Sequence, residues 1–293
     1  MPTLGGDYLI DVRNAQRAFN IAAETYDEHA ALQRAVADNL LESLDIIRIS
    51  PQTILEIGAA TGYCAKALAH RYPRTPTLLL DSSPAMLRHA RHKLQRWRSR
   101  ERYIGGDAQK LPLVSASIDF IISSMTFHWC NDLDAVFGEC HRVLKPNGLL
   151  LFSSLGPDTL RELREAWSSV DSSPHVNMFI DMHDVGDALI RAGFTSPILE
   201  CDKIIVNYDD VNALMCDLRH TGSSNSISGR KKNFSTRGEF TQMEEAYERF
   251  RIDTKLPATF EVVYAHGWKP ERGSRAQDGS TVATFPFADL KRR

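Results

Sequence analysis

Between residues 52 and 154, the chain alternates short runs of consecutive apolar residues with longer segments in which apolar residues recur every three or four positions. Runs that are apolar throughout are typical of strands buried on both faces of a parallel sheet, and the periodic segments are typical of helices. The strands predicted in this region are 53–57, 77–80, 102–104, 118–123 and 149–153. The alternation therefore predicts an α/β fold built on a parallel sheet.

Three helices are predicted between these strands, at 62–71, 84–97 and 132–144. Pro84 suits the first turn of the second helix, and either Ser82 or Ser83 could cap that helix. Pro146 stops the third helix, and the Asn-Gly pair that follows it favours a turn into the next strand.

The last third of the chain is less regular. It contains predicted helices at 158–170, 181–192 and 210–219, predicted strands at 198–208 and 257–268, and a polar, basic loop at 221–238. Four apolar residues then recur at spacings of three and four, as they do on one face of a helix: Phe240, Met243, Tyr247 and Phe250. We interpret this face as a packing surface.

Composition narrows the range of partners. The chain has 293 residues, of which 43% are hydrophobic, and this length is enough to bury a large core. A formal net charge of -2 gives no overall field that would attract nucleic acid or an anionic membrane, so we expect neither partner. No apolar run approaches the roughly 18 residues of a membrane span. Asp7 and Asp11 interrupt the segment where a signal peptide would be apolar. We expect a cytoplasmic protein, and a monomer.

The cysteines argue against a metal site. Five are present, an odd number without a C-x-x-C pair: Cys64, Cys130, Cys140, Cys201 and Cys216. This pattern fits buried thiols in a reducing compartment better than disulfides or zinc ligands. We therefore expect no bound metal.

A loop rich in small residues, at 54–62, ends the first predicted strand and opens the first helix of the sheet region. Small residues at such a junction let the backbone approach a ligand closely. The dinucleotide fingerprint would need glycine where the chain has Ala60 and Tyr63, so NAD is disfavoured. The loop resembles motif I of the class I S-adenosylmethionine-dependent methyltransferases, in which glycine usually stands at position 60. The motif positions are Glu56, Gly58, Ala60 and Gly62. Taken alone, the loop could equally be a tight turn without a ligand.

Two further strand ends carry acidic residues. Asp81 follows the second strand, at the position from which a carboxylate can accept the hydroxyl groups of a ribose. Asp107 and Ala108 follow the third strand and resemble the adenine-binding G-D-A of the same methyltransferases. By that resemblance, Asp107 takes the exocyclic amino group, and Ser82 and Met86 lie beside the ribose and adenine. Because the three strand ends share one edge of the sheet, together they predict an S-adenosylmethionine site.

Six segments resemble a narrower family, the malonyl-acyl carrier protein O-methyltransferases of biotin synthesis. They are 22–30, 127–132, 142–148, 179–184, 217–225 and 256–264. The first four occur in many methyltransferases, whereas D-L-R-x-T-G-x-x-N and L-P-A-T-F-E-V in the last two are more specific. The resemblance covers about residues 15 to 270. It implies a class I, Rossmann-like fold with a seven-stranded, mostly parallel sheet, helices on both faces and C-terminal cap insertions.

The resemblance also implies the reaction, which is methyl transfer to the free carboxylate of a malonyl thioester on acyl carrier protein or coenzyme A. A carboxylate is already ionised near neutral pH, so the site needs no strong general base. Arg219 is the predicted bidentate clamp on that carboxylate. Tyr26 resembles an aromatic residue that closes over the cofactor, and His128 and Trp129 stand where the acceptor should lie. Each of these residues also has a purely structural interpretation. Arg219 would then be a surface arginine at the end of a helix, Trp129 would only pack against its neighbours, and His128 would form a hydrogen bond to a backbone carbonyl.

The implied partner, acyl carrier protein, is strongly acidic, so a basic patch should dock it. The predicted patch is Arg230, Lys231, Lys232 and Arg237. A second basic set, which begins at Arg88, is interpreted as a solvated helix face.

The predicted division of the chain is an N-terminal helical lid at 1–50, an S-adenosylmethionine-binding core at 51–154, the rest of the sheet with substrate-cap insertions at 155–270, and a disordered tail at 271–293.

Three other functions remain open at this stage. One is a methyltransferase of the same fold that acts on another small acid or a lipid-like acceptor. A second is a relative of the complex I assembly factors, which would act on a protein substrate. The third is a cofactor-binding module without chemistry.

Overall fold

The computed structural model describes residues 8–94, 100–231 and 235–271. Within them, seven strands form one sheet in the order β3-β2-β1-β4-β5-β7-β6. The strands are β1 (Ile54–Ile57), β2 (Thr77–Asp81), β3 (Glu101–Gly105), β4 (Ile118–Ser123), β5 (Leu144–Leu155), β6 (Thr195–Tyr208) and β7 (Leu256–Trp268). Strand β7 runs antiparallel to both of its neighbours, and the remaining pairs are parallel. The predicted mostly parallel seven-stranded sheet is confirmed.

Helices cover both faces of this sheet. They are α1 (Val12–Ala22), α2 (Tyr26–His29), α3 (Ala31–Ile46), α4 (Tyr63–Arg71), α5 (Pro84–Leu94), α6 (Leu133–Val143), α7 (Arg161–Ser168), α8 (Met182–Arg191), α9 (Val211–His220) and α10 (Arg237–Glu248). A short 3-10 helix spans Phe127–Trp129. None of the helices within the described ranges combines the length and apolar character needed to cross a membrane.

The central strands are buried on both sides, as their apolar runs predict. On one face, Ile54 packs with Leu40 of α3 and Leu68 of α4. On the other face, Leu55 packs with Phe137 of α6. Helices thus cover both faces of the sheet, and the edge formed by the strand ends remains available for a ligand.

A separate cluster lies under the C-terminal half of the sheet. Met243 and Tyr247 of α10 are fully buried there, and Phe240 and Phe250 pack against the same cluster. The Tyr247 hydroxyl donates a hydrogen bond to the carbonyl oxygen of Pro257 at 2.9 Å. The predicted packing role of this helix face is confirmed.

Element boundaries differ from the predictions where turns intervene. Helix α7 begins at Arg161 rather than 158, because Leu160 adopts a left-handed conformation with φ of 54°. Ser83 caps α5, since its Oγ accepts a hydrogen bond from the Met86 amide at 3.2 Å. The last residues of the helix predicted to 97, and the predicted disordered tail after Glu271, lie outside the described residues.

Candidate active site

The loop after β1 is shaped by residues with positive φ. Gly58 has a φ of 72°, and a Cβ added there would lie 1.9 Å from the Thr126 Oγ1. The Gly58 amide donates to the Leu80 carbonyl at 2.7 Å, which ties the turn to β2. Ala60 also has positive φ, at 44°. No side chain larger than hydrogen fits at position 58 without movement of Thr126, so this glycine is required by the fold of the loop itself.

Asp81 connects this loop to the start of α5. Its Oδ2 accepts a hydrogen bond from the Ala60 amide at 2.9 Å, and its Oδ1 accepts one from the Ser83 amide at 2.7 Å. Burial raises the pKa of the Asp81 carboxyl, and these two amide donors oppose that rise. Each carboxylate oxygen has two acceptor positions, so both retain capacity for a further hydroxyl donor.

A cavity of about 500 Å³ opens at this edge of the sheet. Seven of the nine predicted cofactor residues line it: Gly58, Ala60, Asp81, Ser82, Met86, Asp107 and Ala108. Phe19 of α1 and Tyr26 of α2 also line it, as do the apolar residues Met125 and Trp129. A close-approach glycine, a buried carboxylate and an apolar wall suit a nucleoside with a short charged chain, so the residues present fit S-adenosylmethionine. We call this the cofactor cavity.

The other two predicted cofactor residues lie behind the loop. Gly62 has a φ of 82° and precedes α4, where a Cβ would meet Leu94 at 2.8 Å. Glu56 lines a small cavity of about 40 Å³ that adjoins the cofactor cavity, since Gly58 and Ala60 line both. Burial raises the pKa of Glu56 to about 8, and its Oε2 has no hydrogen-bond partner. Gly62 thus shapes the end of the loop, and Glu56 lies in the wall of the smaller cavity beside the cofactor cavity.

A second cavity, of about 390 Å³, adjoins the first. We call it the acceptor cavity. It shares four lining residues with the cofactor cavity: Phe19, Tyr26, Met125 and Trp129. The remainder of its wall is mainly apolar and comes from α3, β6, β7 and α9, with Leu32, Val206, Leu218 and Phe260 as examples. A ligand in one cavity therefore lies next to a ligand in the other.

His128 lies in the wall of the acceptor cavity, as the sequence predicts. It is only 9% exposed, and its ring lies 5.4 Å from that of Trp129 and 5.7 Å from that of Phe179. Burial lowers the pKa of His128 to about 3, so the imidazole is neutral at physiological pH. Its Nδ1 has no hydrogen-bond partner. A buried polar atom without a partner, aimed at a cavity wall, is available to a bound ligand.

The predicted lid residue Tyr26 lies where the two cavities meet. Burial and the nearby Asp81 carboxylate raise the pKa of its phenol. Next to Tyr26, Asp27 accepts hydrogen bonds from the Thr61 hydroxyl and the Lys93 ammonium, each at 2.6 Å. The short helix α2 is thus fastened to the glycine-containing loop and to α5, and Tyr26 is held over the cavity entrance.

Arg219 does not line the acceptor cavity. It is exposed at the end of α9 and lines a third cavity of about 550 Å³. Five residues line both this third cavity and the acceptor cavity: Leu160, Asn177, Phe179, Leu218 and Ser223. The guanidinium therefore lies on the outer side of the wall that separates the two cavities.

Two of the predicted docking residues also line the third cavity, but both are paired. The Arg230 guanidinium lies 3.3 Å from Asp11, and the Lys231 ammonium lies 2.6 Å from Glu239. Arg237 is exposed at the start of α10. Lys232 lies outside the described residues. The patch is therefore less positive than its sequence indicates, because acids from elsewhere in the fold neutralise part of it.

Several residues of α1 that the sequence analysis did not select line the cofactor cavity or contact the start of α5 beside it. The Asn20 Oδ1 accepts hydrogen bonds from the Ser83 hydroxyl at 2.8 Å and from the Ala85 amide at 3.1 Å. The Gln16 amide nitrogen donates to the carbonyl oxygen of Ser82. Phe19 and Asn20 follow Gln16 by three and four residues, which places both beside Gln16 on one side of the helix. That spacing was the only signal available in the sequence.

Comparison with known proteins identifies the family. A model of the methyltransferase domain matches residues 55–152. Malonyl-acyl carrier protein O-methyltransferase from Methylovorus sp. strain MP688 is 46% identical over 95% of this chain and 96% of that protein. The protein of the same name from Laribacter hongkongensis strain HLHK9 is 44% identical to this chain. The match covers 95% of this chain and 97% of the Laribacter protein.

Solved structures agree on the fold. A Bacillus halodurans chain provisionally named a methyltransferase matches with a TM-score of 0.59 at 18% identity, over 80% of this chain and all of that one. Phosphoethanolamine N-methyltransferase 2 from Haemonchus contortus, in complex with S-adenosyl-L-methionine, matches with a TM-score of 0.52 at 16% identity, over 86% of this chain and 57% of that one. The predicted class I methyltransferase fold is confirmed.

Proposed function

Because this chain belongs to the malonyl-acyl carrier protein O-methyltransferase family, we propose that it methylates the free carboxylate of malonyl-acyl carrier protein, with S-adenosylmethionine as methyl donor. The product is the malonyl methyl ester, which begins pimeloyl and biotin synthesis. The names of its relatives do not favour the alternatives, which were another acid or lipid-like acceptor, or a protein substrate. We also propose that the enzyme works as a cytoplasmic monomer.

One observation carries the proposal: the cofactor cavity and the acceptor cavity meet at a common wall. That wall comprises Phe19, Tyr26, Met125 and Trp129. Transfer of a methyl group requires donor and acceptor atoms in line at about 3 Å, with water kept away. Adjoining cavities with a largely apolar common wall support such a placement of donor and acceptor.

When bound, S-adenosylmethionine supplies a methyl group made electrophilic by its sulfonium. The protein has to hold this group and orient the attacking carboxylate. In our proposal, Asp81 accepts the ribose hydroxyls, and Ser82, Met86, Asp107 and Ala108 surround the ribose and adenine, whereas Glu56 and Gly62 maintain the loop. Tyr26 closes the cavity from the lid.

The acceptor carboxylate needs orientation more than activation. Its pKa keeps it ionised near neutral pH, so no proton has to be removed. His128 is neutral, and the proposed role of its unpartnered Nδ1 is a hydrogen bond to the acceptor. A neutral imidazole with its proton on Nδ1 can orient a carboxylate through one hydrogen bond. Trp129 forms the adjoining side of the wall.

Arg219 is proposed as the clamp that fixes the carboxylate, which requires its side chain to turn from the third cavity, where it lies, into the acceptor cavity. Its neighbour Leu218 lines both cavities. Within the parts of the chain that the structure describes, no ion pair to Arg219 is found, so its guanidinium is free for a ligand. Its planar fork can hold a carboxylate through two parallel hydrogen bonds.

The test is a methyl-transfer assay with purified protein and methyl-labelled S-adenosylmethionine. Malonyl-acyl carrier protein should yield a labelled methyl ester, detected by mass spectrometry of the intact carrier. Acetyl- and butyryl-carrier protein are the controls, because neither has a free distal carboxylate. Equal labelling of butyryl-carrier protein, or no labelling of the malonyl form by protein that binds the cofactor, would refute the proposed acceptor.

A further inference from the structure

Three side chains with metal-binding atoms converge where the lid meets α9. They are His29 at the end of α2, and Cys216 and His220 in the last turns of α9. One such atom from each lies within 4.8 Å of those of the other two. The Cys216 Sγ is 3.1 Å from the His220 Nδ1, and the two imidazole rings stack with centroids 4.4 Å apart and 14° between their planes. All three residues are partly buried.

Each of the two imidazoles has an acceptor beside its Nδ1. The His29 Nδ1 lies 2.7 Å from the Asp217 Oδ1, and the His220 Nδ1 lies 2.8 Å from the carbonyl oxygen of Cys216. In the tautomer that donates from Nδ1 to such an acceptor, the lone pair of Nε2 is free for an ion. Carboxylate and carbonyl partners of this kind usually orient the histidines of metal sites.

We propose that His29, Cys216 and His220 bind a divalent ion of the zinc class, with Asp217 as the positioning residue for His29. Zinc bonds of about 2.0 Å to nitrogen and about 2.3 Å to sulfur place neighbouring ligand atoms roughly 3.3 to 3.7 Å apart in a tetrahedron. The two rings are nearly parallel at present, so one imidazole would have to turn about its side-chain torsions for both lone pairs to meet at one ion. A thiolate with two imidazoles selects zinc or cobalt over magnesium or calcium.

The ion would join the lid to the acceptor side of the enzyme. His29 and Asp217 both line the acceptor cavity, and the Thr25 hydroxyl already donates to the His220 carbonyl at this junction. The cavity is lined by neither lysine nor arginine among the described residues. A divalent ion here would hold α2 against α9 and add positive charge beside a cavity proposed to receive an anion.

This site departs from the expectation of no metal, which rested on the absence of a C-x-x-C pair. The cysteine and one histidine are four residues apart on one helix face, where both can reach the same ion. The other histidine comes from a segment nearly 190 positions earlier. The site is independent of the proposed acceptor, because it would exist whichever acid the enzyme methylates.

The experiment is a titration of chelator-treated, full-length protein with Co²⁺, followed by absorption spectroscopy. One equivalent should bind and give the thiolate-to-cobalt charge-transfer band in the near ultraviolet. Cys216→Ser should lose the band, and His220→Ala or His29→Gln should weaken Co²⁺ binding by about 100-fold. Asp217→Asn should weaken it by about 10-fold, as expected for a residue that orients a ligand. Cys201→Ser, at an exposed cysteine on β6, is the matched control and should retain the band.

Thermal melting of each metal-free variant establishes that it is folded before the titration. Unchanged Co²⁺ affinity in the folded histidine variants, or a persistent charge-transfer band in Cys216→Ser, would overturn the assignment. So would the absence of stoichiometric Co²⁺ binding to the folded parent protein. Loss of the band in Cys216→Ser but not in Cys201→Ser would support it.

Discussion

The cofactor cavity and the acceptor cavity touch, but the chain builds them in different ways. Gly58, Asp81 and Asp107 each lie at or within two residues of the end of β1, β2 and β3. The acceptor cavity instead combines residues from α1 to α3, the 3-10 helix, β6, β7 and α9, from Phe19 to Phe260. The first site is fixed by adjacent strand ends, whereas the second exists only after distant parts of the chain have packed. Substitutions should therefore separate into those that abolish cofactor binding and those that affect turnover alone.

The largest effect is expected at Gly58. A valine would place its side chain against Thr126 and would have to adopt a φ of 72°, so Gly58→Val should destabilise the fold by on the order of 3 kcal/mol and abolish S-adenosylmethionine binding. Urea unfolding and calorimetry provide the two measurements. Gly138→Ala on α6 is the control, because no atom lies within 4 Å of the added methyl group, and it should stabilise slightly. Normal binding by the valine variant would contradict the close-approach role.

The second-largest effect is expected at Asp81. Asp81→Ala removes the acceptor of two backbone amides and the proposed acceptor of two ribose hydroxyls, and we expect cofactor affinity to fall by about 1.5 to 3 kcal/mol. Isothermal titration calorimetry with S-adenosylmethionine measures this directly. Asp158→Ala is a matched control on the surface, where the carboxylate pairs with Lys203 instead. If the two variants bind the cofactor equally well, Asp81 does not contact it.

Substitution of Arg219 tests the acceptor side of the enzyme. Arg219→Lys retains the charge but loses the planar fork, so we expect kcat to fall about 10-fold while the affinity for S-adenosylmethionine is unchanged. Arg191→Lys is the control, since Arg191 is also an exposed arginine in the last turn of a helix. Full turnover by Arg219→Lys would remove it as the carboxylate clamp.

His128 gives a pH-dependent prediction. Burial lowers its pKa to about 3 in the folded protein, whereas an unfolded histidine titrates near 6.5. Below that pH the unfolded chain binds the additional proton, so this residue makes the protein less stable as pH falls. Between pH 6.5 and 5.5, the unfolding free energy of His128→Gln should therefore fall by about 1 kcal/mol less than that of the parent. Urea unfolding at the two pH values measures it, with exposed His183→Gln as control. Equal pH slopes in parent and His128→Gln would show that His128 titrates normally.

The smallest effect is expected from the docking patch. Arg230 and Lys231 are already paired with acids, so reversal of the exposed Arg237 is the cleaner change. Arg237→Glu should reduce kcat/KM for malonyl-acyl carrier protein about two- to threefold at low salt, and less at high salt. Reaction with malonyl-coenzyme A should be unaffected. Lys66→Glu, an exposed lysine on α4, is the control. Equal losses on both substrates would place the docking surface elsewhere.

The same contrast explains what the sequence could predict. Parallel strands end at one edge, so Asp81 and Asp107 could be assigned to one site from local patterns alone. Glu56 shows the limit of this reasoning: it belongs to the same motif, but it lines the smaller adjoining cavity and not the cofactor cavity itself. A sequence motif predicts which residues lie near the site. It does not predict which cavity each side chain enters, because that depends on the direction of the side chain along the strand.

The acceptor side was less predictable because it depends on tertiary contacts. Arg219 was expected beside the acceptor, but the end of α9 carries it to the outer side of the cavity wall. The pairing of Arg230 with Asp11 joins residues more than 200 positions apart, and no local pattern encodes it. The convergence of His29 with Cys216 and His220 is equally invisible to any search for short motifs.

The position of β7 has a consequence for the order in which the enzyme is made. This strand is the last of the seven in the chain, yet it lies between β5 and β6 and pairs with β6 over residues 256–268. During synthesis, β1 to β5 emerge first and can assemble the cofactor side. Strand β6 has no partner in the sheet until β7 leaves the ribosome. A nascent chain can thus form the cofactor cavity before the acceptor cavity exists. The acceptor cavity is completed only when the last strand joins the sheet.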